Sequence, residues 1–274
     1  GARRFWQTVA SVTIIVYTVV PLLWILNMSL KSTVDRADGK FWAHSPTLEN
    51  YRLIFTGGAK NLFLPALRNS ILVAVIATLV AVILAIFCAY AIARLDFPGK
   101  RMILGTALTV SFFPVISLVT PLFDLWRRIH LFDTIPGLIL PYLVLTLPLA
   151  IWTLSAFFQQ IPWEMEQAAQ VDGATSWEAF RKVIVPLAAP GVFTTAIIAF
   201  FTAWNDFVFA MSLTSDQART VPAALAFFTG ASQFESPTGA ICAAGVVVTV
   251  PVVLLVLFFQ RQIVSGLTSG AVKG

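Results

Sequence analysis

Residues 166–191 read EQAAQVDGATSWEAFRKVIVPLAAPG. Four acids and two bases fall between Glu164 and Lys182, in a chain that is otherwise apolar. The local signals are helical and well punctuated. Pro162 suits the start of a helix, where its missing N–H costs nothing, and Glu164 and Glu166 lie in the first turn, where the helix dipole favours acids. Met165, Ala168, Ala169 and Asp172 share one face, a shallow stripe of mostly small side chains. Gly173 supplies a left-handed stop. Thr175 with Glu178 three residues on then forms a capping box that opens a second helix. Trp177, Phe180 and Val183 or Ile184 give that helix an apolar face, and Pro186 and Pro190 mark its end. The spacing thus predicts a polar helix–turn–helix over residues 159–190, set between hydrophobic segments.

Outward from this insertion the chain is lipid-like. It has 274 residues, 58% hydrophobic and only 11% charged, against about 25% charged in soluble domains. Six stretches hold the roughly 20 apolar residues that a bilayer core demands: about 8–29, 70–93, 102–124, 136–158, 191–213 and 239–260. The fold class is therefore all-α and polytopic, with six membrane-spanning helices in a single transmembrane domain over residues 1–274. Pro114, Pro121, Pro141, Pro148 and Pro251 inside these stretches are expected to kink helices, which membrane bundles tolerate. The first apolar run has no small-residue cleavage site and reads as a span rather than a signal peptide. Residues 31–68 are expected to hold a short folded extramembrane element, and 125–130 (LWRRIH) a surface turn.

Charge says little about orientation. With both termini cytoplasmic, nine Lys and Arg fall inside and nine outside, so the positive-inside rule gives a draw. A net charge of +5 fits span-end anchors, and no basic stripe or aromatic RNA motif points to nucleic acid. Cys88 and Cys242 lie in apolar runs without metal-ligand spacing, so no metal site is expected. FPGKR at 97–101 carries a Gly-Lys pair, but Arg94 stands where a phosphate loop needs its first glycine, and Arg101 replaces Ser or Thr. The chain is expected to bind no cofactor itself and to have no catalytic residues.

The polar insertion resembles the cytoplasmic loop of permease subunits of ATP-binding-cassette importers, whose pattern is E-A-A-x3-G-x9-I-x-L-P. Here Gln167, Ala168, Ala169, Gly173, Val183, Val185 and Pro186 stand at the same spacing. Further likeness lies in LPALRNSILVAV (64–75), AWNDFVFAM (203–211) and SGLTSGAVKG (265–274). Together these are similar to the carbohydrate branch, the second permease of maltose-type importers, and to the corresponding subunit of an actinobacterial trehalose importer. The resemblance implies that the chain forms half of a sugar pathway in a bacterial cytoplasmic membrane, with both termini cytoplasmic. It implies as partners a second permease, two ATP-binding subunits that hold ATP and Mg, an extracytoplasmic sugar-binding protein and membrane lipid. The 159–190 loop would then couple to the ATPase through Glu164, Glu166, Gln167, Ala168, Ala169, Asp172 and Gly173. The tail would touch it through Ser269 and Gly270, although residues 266–274 by themselves read as a frayed end. The family's motif glutamate is Gln167 here, and Glu164 or Glu166 is expected to carry the charge instead.

Polar groups inside spans are costly and informative. Asp206, beside Asn205 and Trp204, is the chief one, read either as a pathway residue or as a structural partner within the bundle. Trp204, Trp152 and Phe113 are candidate aromatic platforms for a sugar. Asp206 also supports an alternative function, a secondary transporter using it as an ion or proton site. Asn27, Ser29, Asn69 and Ser70 are expected to cap or cross-link helices.

Overall fold

The computed structural model describes residues 2–37, 39–228 and 237–271, with side chains given for 4–36, 39–228 and 237–260. All regular structure among the described residues is helical. In chain order the helices are α1 (Ala2–Ser29), α2 (Thr33–Ala37), α3 (Glu49–Phe55), α4 (Lys60–Arg94), α5 (Lys100–Ser111), α6 (Val115–Arg128) and α7 (Ile135–Gln160). There follow α8 (Trp163–Val171), α9 (Ser176–Ala179), a π-helical turn (Phe180–Ile184), α10 (Val185–Leu187), α11 (Ala189–Asn205), α12 (Val208–Leu213), α13 (Val221–Leu225) and α14 (Thr238–Ala271).

Among the described residues four helices are long and apolar enough to cross a membrane unbroken, within α1, α4, α7 and α14, and counting each of two bent pairs as one span brings the total to six. The bends correct two of the expected spans. The third is broken: α5 ends at Ser111, and α6 starts after Pro114 at 92° to it. Pro114 here begins a new helix rather than kinking a continuous one, since the residue before a proline is pushed out of the α region. Pro121, Pro141, Pro148 and Pro251 do lie inside helices. The second bent pair turns by 72° between the helical segment Ser176–Leu187 and α11, at the start of the expected fifth span, and that span is also interrupted at Asp206 and Phe207, between α11 and α12. The expected turn at 125–130 begins later, because α6 runs to Arg128 and His130 takes a positive φ. Within the tail, residues 266–271 are helical in their backbone, as α14 continues to Ala271, and the rest of it lies outside the described residues. The candidates Ser269 and Gly270 lie outside the residues whose side chains are described.

By their internal packing the described residues divide into two compact units, 1–67 with 223–254 and 68–222 with 255–274. In the first, Asn50 ties the end of α1 to α3 by donating to the carbonyls of Ser29 and Lys31 at 2.9 and 2.8 Å. Arg36 donates to the Asn50 side chain at 3.0 Å. The expected folded element in 31–68 is thus built from α2, α3 and buried polar contacts. The apolar side chains of α1, from Phe5 to Trp24, are largely exposed, as expected for a helix surrounded by lipid or by another subunit.

In the second unit α7 and α11 pack side by side. A Cβ on Gly191 would stand 2.4 Å from the Phe157 ring, so the glycine is what lets the helices approach. A core of Ala85, Ala89, Ala150, Leu154, Phe158, Ile184 and Ala188 joins α4, α7 and the segment after α9. Small residues dominate it, as in membrane bundles held by close backbone approach.

Candidate functional site

The polar insertion folds as the punctuation predicts. Gly173 has φ +93°, and its N–H together with that of Ala174 closes the end of α8 on Gln170 and Ala169 carbonyls. The capping box is complete: Glu178 N–H donates to Thr175 Oγ1 at 3.2 Å, and Thr175 N–H donates to the Glu178 carboxylate at 3.0 Å. Lys182 adds an ion pair to Glu178 at 2.9 Å. These bonds hold the Glu178 carboxyl down at about 2, first through Lys182 and then through Thr175. Beyond them Phe180 and Ile184 are buried whereas Trp177 is exposed, so the second helix clamps its apolar edge onto the bundle. The wider π turn over Phe180–Ile184 places both Phe180 and Ile184 inward.

Of the seven coupling candidates, Glu164, Gln167, Ala168, Asp172 and Gly173 are exposed and Ala169 is half-buried. Glu166 differs. It is 4% exposed, accepts a hydrogen bond from Tyr90 Oη at 2.6 Å, and lies 3.8 Å from Arg94 Nε. Its carboxylate faces its own bundle and does not replace the missing acid at Gln167; among these candidates that leaves Glu164 and Asp172 as the exposed acids. The exposed surface of α8 therefore mixes small and polar side chains with Trp163 and Met165, 43% and 44% exposed, and Val171 at its end, 87% exposed.

Asp206 ends α11 and starts α12. Its Oδ2 accepts from Tyr142 Oη at 2.8 Å and from Ala210 N–H at 2.9 Å, while Phe209 N–H lies 3.4 Å from Oδ1. Of the two roles open to this residue, the structural one is thus observed: it caps a helix and satisfies a tyrosine that is fully buried. Trp204 is buried and stacks on Phe200 at 5.3 Å, which leaves it no open face for a sugar. Trp152 and Phe113 are each 51% exposed. Asn205 is exposed and donates to the Phe201 carbonyl at 3.0 Å. An apolar cavity of about 560 Å³ lies among α6, α7 and α12 and takes in Pro121, Leu122, Trp126, Leu143 and Phe209. Its one indole N–H, from Trp126, is already bonded to Gly137 O at 2.6 Å, so that donor is not open to a sugar.

The sequence reading missed Asp133. At the end of the second unit away from α8, its carboxylate accepts four backbone N–H groups, from Ser215, Asp216, Gln217 and Ala218, at 2.9–3.1 Å. Asn69 donates to the carbonyls of Gln217 and Arg219, and Ser70 accepts from Val221 N–H. The expected cross-linking by Asn69 and Ser70 thus takes the form of pinning the 214–221 loop. Burial works to raise the Asp133 pKa, but the four N–H donors prevail and hold it below the usual carboxylate range. A depressed folded-state pKa means stability present above the unfolded value near ~4 and lost as pH falls through the folded one. Asp133→Ala is expected to cost about 2 kcal/mol at neutral pH, by orphaning several N–H groups, and to flatten the acid limb of a thermal-melting profile. An unchanged profile would contradict the assignment.

Residues 81–269 match the family described as the inner membrane component of binding-protein-dependent transport systems. The trehalose transport system permease SugB of Mycobacterium tuberculosis is 56% identical over the whole of both chains. The trehalose/maltose transport permease MalG of Thermococcus litoralis is 37% identical, covering 99% of this chain and 98% of that one. The sulfoquinovosyl glycerol transport permease SmoH of Agrobacterium fabrum is 40% identical over 97% of this chain and 93% of its own length. A chain from a crystal structure of a bacterial transporter that imports alginate superposes with a TM-score of 0.80 over 96% of this chain and 98% of its own, at 21% identity, which speaks to the fold. The family match and the full-length relatives agree with the helical spans and the capped insertion, and the chain belongs to the binding-protein-dependent transport system inner membrane components, as an ABC transporter permease subunit.

Proposed function

We propose that the chain is the permease subunit of an ATP-driven disaccharide importer with trehalose as its substrate, and that α8 is the helix through which ATP hydrolysis in partner subunits moves the pathway. The observation that carries the coupling role is the exposed row Glu164, Gln167, Ala168, Asp172 and Gly173, on a helix fixed at one end by a left-handed glycine and at the other by buried contacts. Small side chains allow a partner's backbone to come close, and the flanking acids complement its cations. Gln167 contributes an amide that both donates and accepts, so contact there rests on hydrogen bonding, with Glu164 and Asp172 supplying charge. The sugar assignment rests on full-length similarity to a trehalose permease.

In this reading the partners are a second permease, two ATP-binding subunits carrying ATP and Mg, and an extracytoplasmic sugar-binding protein, with residues 159–190 and both termini in the cytoplasm. The chain itself carries no nucleotide and no ATPase chemistry. Its role is to hold two arrangements of the spans that the partner's closure biases, which requires contacts that differ between the states. The breaks at Phe112–Pro114 and at Asp206–Phe207 supply non-helical backbone at membrane depth, which membrane proteins keep where it is buried or lines a cavity.

The test is co-purification and transport together. A tagged chain is expected to bring down its ATPase subunits. The assembled complex in proteoliposomes with its binding protein is expected to import labelled trehalose only with ATP. Import by the chain without an ATPase subunit would overturn the reading. ATP-driven import of other disaccharides in preference to trehalose would overturn the substrate alone.

A further inference from the structure

We infer that Glu166 and Arg94 are positioning residues that fasten α8 to the end of α4, so that a displacement of α8 is passed directly to α4 and not only along the chain to α7. The inference rests on the coupling role proposed for α8.

Covalently, α8 hangs on α7 by two residues in extended conformation, Ile161 and Pro162. Such a link can hinge. Arg94, the last residue of α4, spans it. Its Nη2 donates to the Ile161 carbonyl at 2.9 Å, its guanidinium lies 4.9 Å from the Trp163 ring centroid, and its Nε stands 3.8 Å from Glu166 Oε2. One side chain therefore grips the link, the first residue of α8 and the middle of its first turns. Tyr90, one turn earlier on α4, completes the grip by donating to Glu166 Oε1 at 2.6 Å. Tyr90 is itself wedged edge-on between Phe158 of α7, at 6.0 Å, and Phe180 of the π turn, at 4.6 Å.

Two features separate this contact from a surface ion pair. Both charged side chains are only 6% exposed, so neither can trade its partner for water, and removing one strands the other. The attachment is also sided: Glu166 points into the bundle while Gln167 and Ala168 point away. A force on the outer row of α8 is thus resisted on its inner row by α4. Arg94 Nε and Glu166 Oε2 are both buried and make no hydrogen bond. They face each other across a gap wider than a hydrogen bond, which leaves room for the pair to tighten in another state.

The experiment uses the assembled complex in proteoliposomes with its binding protein. Arg94→Met and Glu166→Gln are expected to keep the ATPase subunits bound and to keep ATP hydrolysis, while sugar imported per ATP falls about ten-fold. An unchanged ratio overturns the inference. Loss of the ATPase subunit from the variants alone would assign the pair to docking and overturn it as well. If the unmodified chain fails to bind an ATPase, it is the proposed function that fails. A second measurement leaves the clamp intact, in case the variants do not assemble. Spin labels at Asp96→Cys and Gln170→Cys, both exposed positions, are introduced after Cys88→Ser and Cys242→Ser remove the free thiols. Their separation is expected to change by less than about 2 Å between resting and nucleotide-trapped complexes, and a larger change overturns a direct attachment.

Discussion

Ala168→Asp is expected to abolish capture of the ATPase subunit by the tagged chain while leaving the chain's own folding intact. Ala168 is exposed on the outer row of α8, so no intramolecular packing is lost. A docked partner must exclude water from that row. A carboxylate introduced there is desolvated without a planned counter-ion, next to the existing acids Glu164 and Asp172. Stranding a buried interfacial charge costs about 2–5 kcal/mol, or on the order of 30- to several thousand-fold in affinity. Gly173→Val tests the same peg by another route. At φ +93° a β-branched side chain is strained by at least about 1–2 kcal/mol, so the turn between α8 and α9 shifts and weakens capture less. Undiminished capture by Ala168→Asp, read by co-purification at fixed detergent and salt, would remove α8 from the docking surface.

The contrast between Ala168 and Glu166 shows what sequence reading could reach. Caps and stops act over three or four residues, so the Thr175–Glu178 box, the Gly173 turn and the limits of α8 were legible locally. The six apolar stretches were equally plain, because lipid leaves few alternatives to a helix. The direction in which Glu166 points depends on Tyr90 and Arg94, more than 70 residues earlier, and no local pattern announces it. A usable signal did exist: Tyr90 and Arg94 sit four apart at the end of a span, on one helical face, where an arginine must find a partner or snorkel. The breaks at Phe112–Pro114 and Asp206–Phe207 escaped notice for another reason. Pro114 and Asp206 both stood out in the sequence, but a window-averaged hydropathy carries on through one proline or one acid and does not register where backbone hydrogen bonds are given up. Nothing local marks Asp133, because its four donors lie more than 80 residues later in the chain.

Asp206 separates an ATP-driven permease from a gradient-driven carrier, and two substitutions are expected to behave oppositely. Asp206→Ala leaves the fully buried Tyr142 hydroxyl without its acceptor and strips the cap from α12. At about 1–3 kcal/mol for the orphaned donor and about 1 for the cap, the loss is expected to lower the melting temperature measurably and to cut import by destabilising the break. Asp206→Asn is nearly neutral for a geometric reason: one oxygen, Oδ2, takes both the Tyr142 and Ala210 bonds. An amide oxygen placed there keeps both. The NH2 group then occupies the Oδ1 position and gives up only the 3.4 Å contact with Phe209 N–H. A residue that carried a proton or sodium ion could not survive this change, since the amide neither titrates nor balances a cation. ATP-dependent uptake by Asp206→Asn within a few-fold of the unmodified complex is therefore expected, with no response to a protonophore. Uptake that vanished in Asp206→Asn while the melting temperature held would return Asp206 to the pathway.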